Sequence, residues 1–317
     1  MPSVLLKQNH KRIKTRSDRV RPASSDLDSE AGARVSPARR KILTAALMTG
    51  TFLASIEVTV VAAAMPSIVG QLGSLSLYPW VFSSYLLTQT LSIPLYGRLA
   101  DLYGRRTTYV FGVSLFLLGS ALCGLAPNMV FLVAARSLQG LGAGAVIPLT
   151  MTIFGDLFEV AQRTRLQGLF SVVWGVSSIA GPLTGGLIVQ HMSWRWVFFL
   201  NIPFGLASAT LVGVLLREAG FRRSHRLDLR GALALSAATF MLLFGILPAE
   251  QRPFALPLAY WLLLSAAAAV IFILLEKGHP EPLLPPSLFR DRVHVATNGT
   301  GVRLGVVLFG MVGYLPL

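Results

Sequence analysis

Long apolar runs separated by short polar segments make up most of the chain from residue 42 onward. A helix that crosses the hydrocarbon core of a bilayer needs ~20 predominantly apolar residues, and eight segments meet that requirement. A ninth begins near Val295 and continues to Leu317. The pattern predicts an all-α membrane protein whose consecutive helices are antiparallel. The eight predicted spans are Ile42–Met65, Trp80–Tyr96, Thr108–Ala126, Met129–Phe154, Gly168–Gln190, Trp196–Leu216, Gly231–Leu247 and Leu256–Glu276.

Composition supports the same class. Hydrophobic residues make up 53% of the 317 residues and charged residues only 13%, whereas a soluble globular chain carries about 25% charged residues. The single cysteine, Cys123, excludes an intramolecular disulfide, and the five histidines are scattered. Zinc sites need several Cys or His ligands at close spacing. We therefore expect no metal and no organic cofactor.

The basic residues that give the net charge of +14 lie mostly in the loops on one side of the predicted membrane. By our assignment of helix ends, 24 of the 28 Lys and Arg residues lie in the N-terminal tail and in the loops on its side of the membrane. The positive-inside rule places such loops in the cytoplasm. We expect a multi-pass protein of the plasma membrane, such as a bacterial inner membrane, with a cytoplasmic N-terminus. Residues 1–41 form a basic tail of disordered composition, for which we expect attraction to lipid and no binding of nucleic acid.

Two charged residues fall inside apolar runs, where a charge costs at least ~2.5 kcal/mol and usually faces a cavity or a partner. Glu57 lies in the middle of the first run and Arg136 within the fourth. Burial in a low dielectric disfavours a carboxylate, which suits a group that takes up and releases a proton. A static Glu57–Arg136 pair is the alternative. Gln139 follows Arg136 on the same helical face. Arg303 is either a cavity residue or a side chain that snorkels to the interface.

Glycines mark two further segments. In the fifth run, Gly175, Gly181, Pro182, Gly185 and Gly186 combine a proline bend with a surface of small residues. Proline removes a backbone hydrogen bond, and glycines allow close helix approach. We interpret this segment as a helix that moves against a neighbour, ordinary kinking being the alternative.

The second glycine-rich segment, Gly97–Arg106, carries four charges in ten residues between two apolar runs. Such a segment cannot lie in hydrocarbon, so we predict a short turn at a membrane face.

Several of these segments resemble one family. The pattern Gly-x-Leu-Ala-Asp-x-x-Gly-Arg-Arg at 97–106 resembles the signature loop between helices 2 and 3 of the major facilitator superfamily. Arg136-x-x-Gln-Gly is similar to the helix 4 motif, and 175–186 to the helix 5 motif of antiporters. Glu57–Pro66 and Trp194–Pro203 resemble motifs of the fourteen-helix drug–proton antiporters, in which Asp is more common at the position of Glu57.

The resemblance implies a domain order and an incomplete chain. It assigns residues 42–216 to an N-terminal six-helix half, 231–276 to two inserted helices and 295–317 to the first helix of a truncated second half. Residues 217–230 and 277–294 would be cytoplasmic linkers. Because one half and one further helix would not enclose a central cavity, we expect this polypeptide to need a C-terminal partner.

The resemblance also implies a function: export of drugs or other amphiphilic small molecules by alternating access, driven by the proton gradient. Glu57 and Arg136 would couple proton binding to the switch, with Gln139 and Arg303 as candidate cavity residues. Gly97, Asp101, Gly104, Arg105 and Arg106 would form a cytoplasmic latch, and the helix 5 glycines would limit leakage.

Two other functions stay open. The chain would be an exporter of a specific metabolite, such as a siderophore or an amino acid, or a membrane protein without transport. We do not expect an enzyme, because no set of nucleophile and base is visible. An ATP-driven pump would carry a Gly-x-x-x-x-Gly-Lys-Ser/Thr loop, which the sequence lacks.

Overall fold

The computed structural model describes residues 36–217, 229–246 and 256–277, together with 296, 297, 299–301 and 303. The tail up to residue 35, most of both predicted linkers and most of the predicted ninth helix lie outside the described residues. Within the described part the structure is helical, with no strand. Its helices are α1 Pro37–Leu72, α2 Tyr78–Tyr103, α3 Arg105–Gly124, α4 Met129–Leu157, α5 Val160–His191, α6 Trp196–Leu215, α7 Leu229–Ile246 and α8 Leu258–Lys277.

Six of these helices are long and apolar enough to cross a membrane: α1, α3, α4, α5, α6 and α8. The predicted second span forms as α2, which is 26 residues long but is not one of the six; its sequence is rich in Ser, Thr and Gln and carries Arg98 and Asp101. The stretch Arg230–Gly245 of α7 is apolar but shorter. The chain is a multi-pass membrane protein.

Several helices extend beyond their apolar runs. The first begins at Pro37, where the Ser36 side chain accepts a hydrogen bond from the Arg39 amide, and continues through Pro66 to Leu72. Residues 37–41, predicted to be disordered tail, are therefore helical. Helical hydrogen bonding depends on the backbone and on capping groups, so a helix need not end where its hydrocarbon-facing segment ends.

Small residues set the packing around α4, which contacts α2 on one side and α3 on the other. A Cβ on Gly140 would lie 2.3 Å from the Tyr85 carbonyl oxygen of α2, and one on Gly142 would lie 2.2 Å from the Phe116 amide nitrogen of α3. Glycine at these positions lets the backbones approach closely. The helix α1 packs against α5 and α6, α6 packs against α3, and the α7–α8 pair contacts α2 through α7.

One end of the bundle, here called the basic end, contains the start of α1, the α2–α3 connection and the end of α4. Arg39 donates to the Leu215 carbonyl at the end of α6, and Arg105 pairs with Asp156 at 3.1 Å. At the opposite end, Trp194 donates to Gln71 at 2.8 Å. These contacts fix the alternating directions of α1 to α6.

The connection between α2 and α3 corrects the predicted turn at 97–106. Residues 97–103 belong to α2, and α3 begins at Arg105, so Gly104 is the one non-helical residue between them. Gly104 adopts φ +89° and ψ 155°, a region open essentially to glycine.

Candidate functional site

A buried carboxylate lies at the centre of the site. Glu57 is on α1, and its side chain is 1% exposed. Its Oε1 atom accepts hydrogen bonds from Arg136 Nη1 at 2.6 Å and from Gln139 Nε2 at 2.9 Å. Its Oε2 atom accepts one from Asn201 Nδ2 at 2.6 Å. Each of these bonds is one that an ionised carboxylate accepts.

Arg136 enters this site from α4 and is completely buried. Besides its bond to Glu57, its Nε donates to the Val81 carbonyl of α2 at 3.1 Å, and its Nη1 donates to Gln139 Oε1 at 2.8 Å. The guanidinium lies over the Tyr85 ring, 4.2 Å from the ring centroid, a distance that gives a cation–π interaction. A guanidinium stays charged at any physiological pH, so the positive charge of this site is permanent.

The spacing along α4 explains the joint position of Arg136 and Gln139. Residues three apart on a helix lie on the same face, and both side chains therefore reach Glu57. The Gln139 amide bridges the pair, because it accepts from Arg136 and donates to Glu57. Gly119 of α3 leaves room for this arrangement, since a Cβ there would lie 2.5 Å from the Gln139 backbone.

A third helix contributes the amide of Asn201. This residue is 2% exposed and lies in α6, one residue after an interruption at Leu200. Pro203 accounts for irregular hydrogen bonding here, because it has no N–H to donate to the preceding turn. Asn201 Nδ2 also donates to Ser120 Oγ of α3 at 2.9 Å, and Ser120 in turn donates to the Phe198 carbonyl at 2.8 Å.

Two polar atoms of the site have no partner among the described residues: Arg136 Nη2 and the Tyr85 hydroxyl. Both belong to side chains without exposed surface. Buried donors are nearly always satisfied in proteins, so these two atoms add to the cost of keeping the charge pair inside the bundle.

The arrangement links five helices, α1, α2, α3, α4 and α6, around one ion pair. A buried pair of this kind is a poor source of stability, because desolvation offsets most of the Coulomb attraction. Removing one partner is costly, since it leaves an unpaired charge. Any event that changes the charge of Glu57 therefore acts on α1, α2, α3, α4 and α6 at the same time.

The residues predicted to form a latch occupy the basic end, away from this network. Arg105 and Asp156 form an ion pair between α3 and α4 whose side chains are 35% and 51% exposed. Asp101 is exposed and forms no ion pair among the described residues. Together with Gly97, it lines a cleft of about 430 Å³ between α2, α4 and α7.

The five predicted residues of α5 divide into two groups. A Cβ on Gly181 would lie 1.9 Å from Thr59 Oγ1, and one on Gly185 would lie 2.8 Å from the Val60 carbonyl oxygen, so both glycines form the contact with α1. Gly175 and Gly186 have no such neighbour within 4 Å, and Pro182 is exposed within the helix. Close approach to α1 therefore explains two of the four glycines.

The structure thus brings Glu57, Arg136 and Gln139 together. Arg303 is exposed and outside their network. Sequence reasoning missed Asn201 and Ser120 as site residues. An Asn two residues before a Pro, within an apolar run, was the available signal for Asn201.

Comparisons with known proteins identify a family and several relatives that this chain resembles. A profile described as Major Facilitator Superfamily matches residues 47–316. Multidrug transporter protein MdtP of Bacillus subtilis is 36% identical over 88% of this chain and 52% of its own length. Multidrug resistance protein 3 of the same organism is 32% identical over 88% of this chain and 55% of its own length. Efflux pump FUS6 of Gibberella moniliformis is 29% identical over 93% and 54%.

Among solved structures, the human organic anion transporter MFSD10 (TETRAN) aligns with a TM-score of 0.53 at 17% identity, over 71% of this chain and 60% of its own. The POT family transporter PepTSo aligns at 0.51 and 13% identity, over 76% and 55%. These similarities show the fold. The chain spans about half the length of the curated relatives it matches.

Proposed function

We propose that this chain, which belongs to the Major Facilitator Superfamily, forms the proton-coupling half of an exporter of drugs or other amphiphilic small molecules. The observation that carries the proposal is the fully buried Glu57–Arg136 pair, whose atoms approach to 2.6 Å between α1 and α4. Ionisable residues inside a membrane mark ion or proton pathways by default. Relatives named multidrug transporter or efflux pump support the substrate class.

Proton coupling follows from the chemistry of the pair. When Glu57 is ionised, the site holds one negative and one positive charge and is neutral overall. When Glu57 takes up a proton, the permanent charge of Arg136 is left without its counter-ion. The second state is the less stable one in this arrangement of side chains, and a change in helix packing that hydrates or re-pairs Arg136 relieves it. Proton uptake thereby favours a second conformation, as alternating access requires.

The remaining elements have roles in the same proposal. The basic loops face the cytoplasm, as the positive-inside rule indicates. The Arg105–Asp156 ion pair is the closed latch of the basic end, and the α5 seam against α1 keeps the half compact. The chain covers about half the length of these relatives, so we propose transport for this chain together with a C-terminal half.

The test is dye efflux from cells that express this chain with a C-terminal half, measured with and without a proton uncoupler. We expect uncoupler-sensitive efflux that is lost in Glu57→Gln and in Arg136→Ala. Glu276→Gln is the matched control, because Glu276 is a buried carboxylate on α8, outside the network, and it should retain efflux. Absence of efflux with every C-terminal half, despite correct insertion, would contradict transport. Efflux that persists in Glu57→Gln would contradict proton coupling through this pair.

A second assay in the same cells, with a panel of candidate substrates, distinguishes the two classes of exporter. Efflux of several unrelated amphiphilic dyes supports a drug exporter. Export restricted to one siderophore or one amino acid supports the metabolite exporter instead.

A further inference from the structure

The hydrogen bonds that run from Glu57 to α6 all have a defined direction. Asn201 Nδ2 gives one hydrogen to Glu57 Oε2 and the other to Ser120 Oγ. Ser120 therefore uses its own proton to donate to the Phe198 carbonyl. The direction is set at the start of the chain of bonds, because a carboxylate only accepts and the Asn201 amide must present its NH₂ group to it.

The two carboxylate oxygens of Glu57 are not equivalent as proton acceptors. Oε1 faces Arg136 Nη1 and Gln139 Nε2, two donors, one of them cationic. A guanidinium has no acceptor atom, and the Gln139 carbonyl oxygen already accepts from Arg136 and Cys123, so a proton on Oε1 would have no free acceptor there. Oε2 faces only Asn201, whose side chain also carries a carbonyl oxygen. A proton on Oε2 is therefore the one that the site accommodates.

We propose that Asn201 is a positioning residue that reads the protonation state of Glu57 by rotating its amide, an inference that rests on the proposed function. A hydronium ion from solvent transfers its proton to Oε2, so that one O–H bond of the hydronium breaks as the Oε2–H bond forms and a water molecule is left. The Asn201 amide then turns over, and its Oδ1 accepts from Oε2–H. Ser120 now faces the same oxygen and turns its hydroxyl toward it, so the bond from Ser120 to the Phe198 carbonyl is lost.

This loss matters because of where Phe198 lies. Its carbonyl is two residues before the interruption of α6 at Leu200, and Ser120 ties it to α3. Release of that bond removes one polar contact between the irregular turn of α6 and α3, while the apolar packing of the two helices remains. The charge of a side chain on α1 thereby acts on the backbone of α6 next to its interruption, through two neutral side chains.

Among the described residues, Glu57 is the one titratable group that is hydrogen-bonded to the Asn201 amide. From α2, Tyr85 faces Arg136 with its ring, and from α3, Cys123 contacts Gln139 Oε1 at 3.5 Å. The helix α6 has no titratable side chain. The other titratable side chains of these helices lie toward the helix ends or bind elsewhere: Arg39, Arg40 and Lys41 on α1, Tyr78, Tyr96, Arg98, Asp101 and Tyr103 on α2, Arg105, Arg106 and Tyr109 on α3, Asp156 on α4, and Arg163, Arg165 and His191 on α5.

The experiment uses the 317-residue chain in lipid nanodiscs and follows two signals between about pH 5 and pH 9. Infrared difference spectroscopy follows the carboxylic C=O band of Glu57, assigned by its loss in Glu57→Gln. Hydrogen–deuterium exchange, corrected for the intrinsic pH dependence, follows the backbone amides of 198–202. In the unmodified chain we expect exchange at 198–202 to become about five- to tenfold faster as the Glu57 band appears, because one buried hydrogen bond is released.

Two variants separate the protonation of Glu57 from the loss of the Ser120 hydrogen bond. Ser120→Ala should exchange fast at every pH while the Glu57 band still titrates, because its Oε2 partner is intact. Asn201→Ala should lose the pH dependence at 198–202. Ser208→Ala is the control on the same helix: its hydroxyl donates to the Ala46 carbonyl of α1, outside this chain of bonds, and the pH response should remain.

Three outcomes decide the inference. A pH response that persists in Ser120→Ala or Asn201→Ala overturns the role of Asn201 and leaves proton coupling in place, provided that the Glu57 band titrates. Absence of that band across the whole pH range overturns both proposals. Loss of the response in both variants and its retention in Ser208→Ala support the inference.

Discussion

The glycines at the seam between α1 and α5 allow a sharp test of the packing. A Cβ at Gly181 would lie 1.9 Å from Thr59 Oγ1 and 2.6 Å from Thr59 Cβ. A Cβ at Gly185 would lie 2.8 Å from the Val60 carbonyl oxygen and 2.9 Å from Ala63 Cβ. Non-bonded carbon atoms prefer separations of about 3.5–4.0 Å. Alanine at either position therefore forces α5 away from α1 by about 1 Å.

The expected cost follows from this displacement. Adding a methyl group to a well-packed contact costs about 1–3 kcal/mol, while replacing glycine by alanine within a helix returns roughly 0.5–1 kcal/mol. Because both contacts are far inside van der Waals separation, the overpacking cost lies in the upper part of that range, about 2–3 kcal/mol, and we expect Gly181→Ala and Gly185→Ala each to lower the free energy of unfolding by about 1–2 kcal/mol. Gly175→Ala and Gly186→Ala are matched controls on the same helix, because no atom lies within 4 Å of their added Cβ.

The assay is reversible unfolding of the purified chain in mixed detergent micelles, followed by circular dichroism. The controls should unfold at the same denaturant concentration as the unmodified chain or at a slightly higher one. Equal destabilisation by all four substitutions would refute the reasoning, because it would mean that the glycines act through helix flexibility and not through contact with α1. Unchanged stability of Gly181→Ala and Gly185→Ala would refute the close contact between α5 and α1.

Three further predictions concern the two ends of the bundle. Gly104→Ala should destabilise the chain by roughly 1–3 kcal/mol in the same unfolding assay, because φ +89° is unfavourable for alanine; an unchanged midpoint would contradict the strained connection. Trp194→Phe should cost about 1 kcal/mol or more through loss of its 2.8 Å bond to Gln71, and Gln71→Leu should then add little to that variant. Asp156→Asn should change the free energy of unfolding by less than about 1 kcal/mol, because its ion pair with Arg105 is partly exposed. The same variant should alter dye efflux from cells that also express a C-terminal half. A large loss of stability would argue against a latch that opens.

The extent to which the site follows from sequence depends on how unusual each residue is in a membrane. Glu57 and Arg136 stand out because charges inside apolar runs are rare, and Gln139 follows by helical spacing. Asn201 and Ser120 do not stand out, because neutral polar side chains are common in membrane helices and hydrogen-bond within them. Only the packing of α3 against α6 brings them to Glu57.

The fold also follows from the sequence only in part. Apolar runs indicate where helices cross the membrane, and eight helices lie at the predicted places. The runs do not indicate where helices end: charged residues at 97–103 continue α2, since their backbone hydrogen bonds are unaffected by leaving hydrocarbon. Likewise, the glycine pattern of α5 does not tell which glycines contact α1. Residues four apart share a helical face, which selects Gly181 and Gly185 only once the partner's position is known.

The connection at Gly104 has a mechanical consequence. Consecutive Cα atoms are separated by about 3.8 Å, so a joint of one non-helical residue allows almost no sliding of α2 past α3. The two helices can pivot about Gly104 but cannot separate at that end. A displacement of Arg105, the first residue of α3, therefore displaces the end of α2 as well, and the two helices change position together.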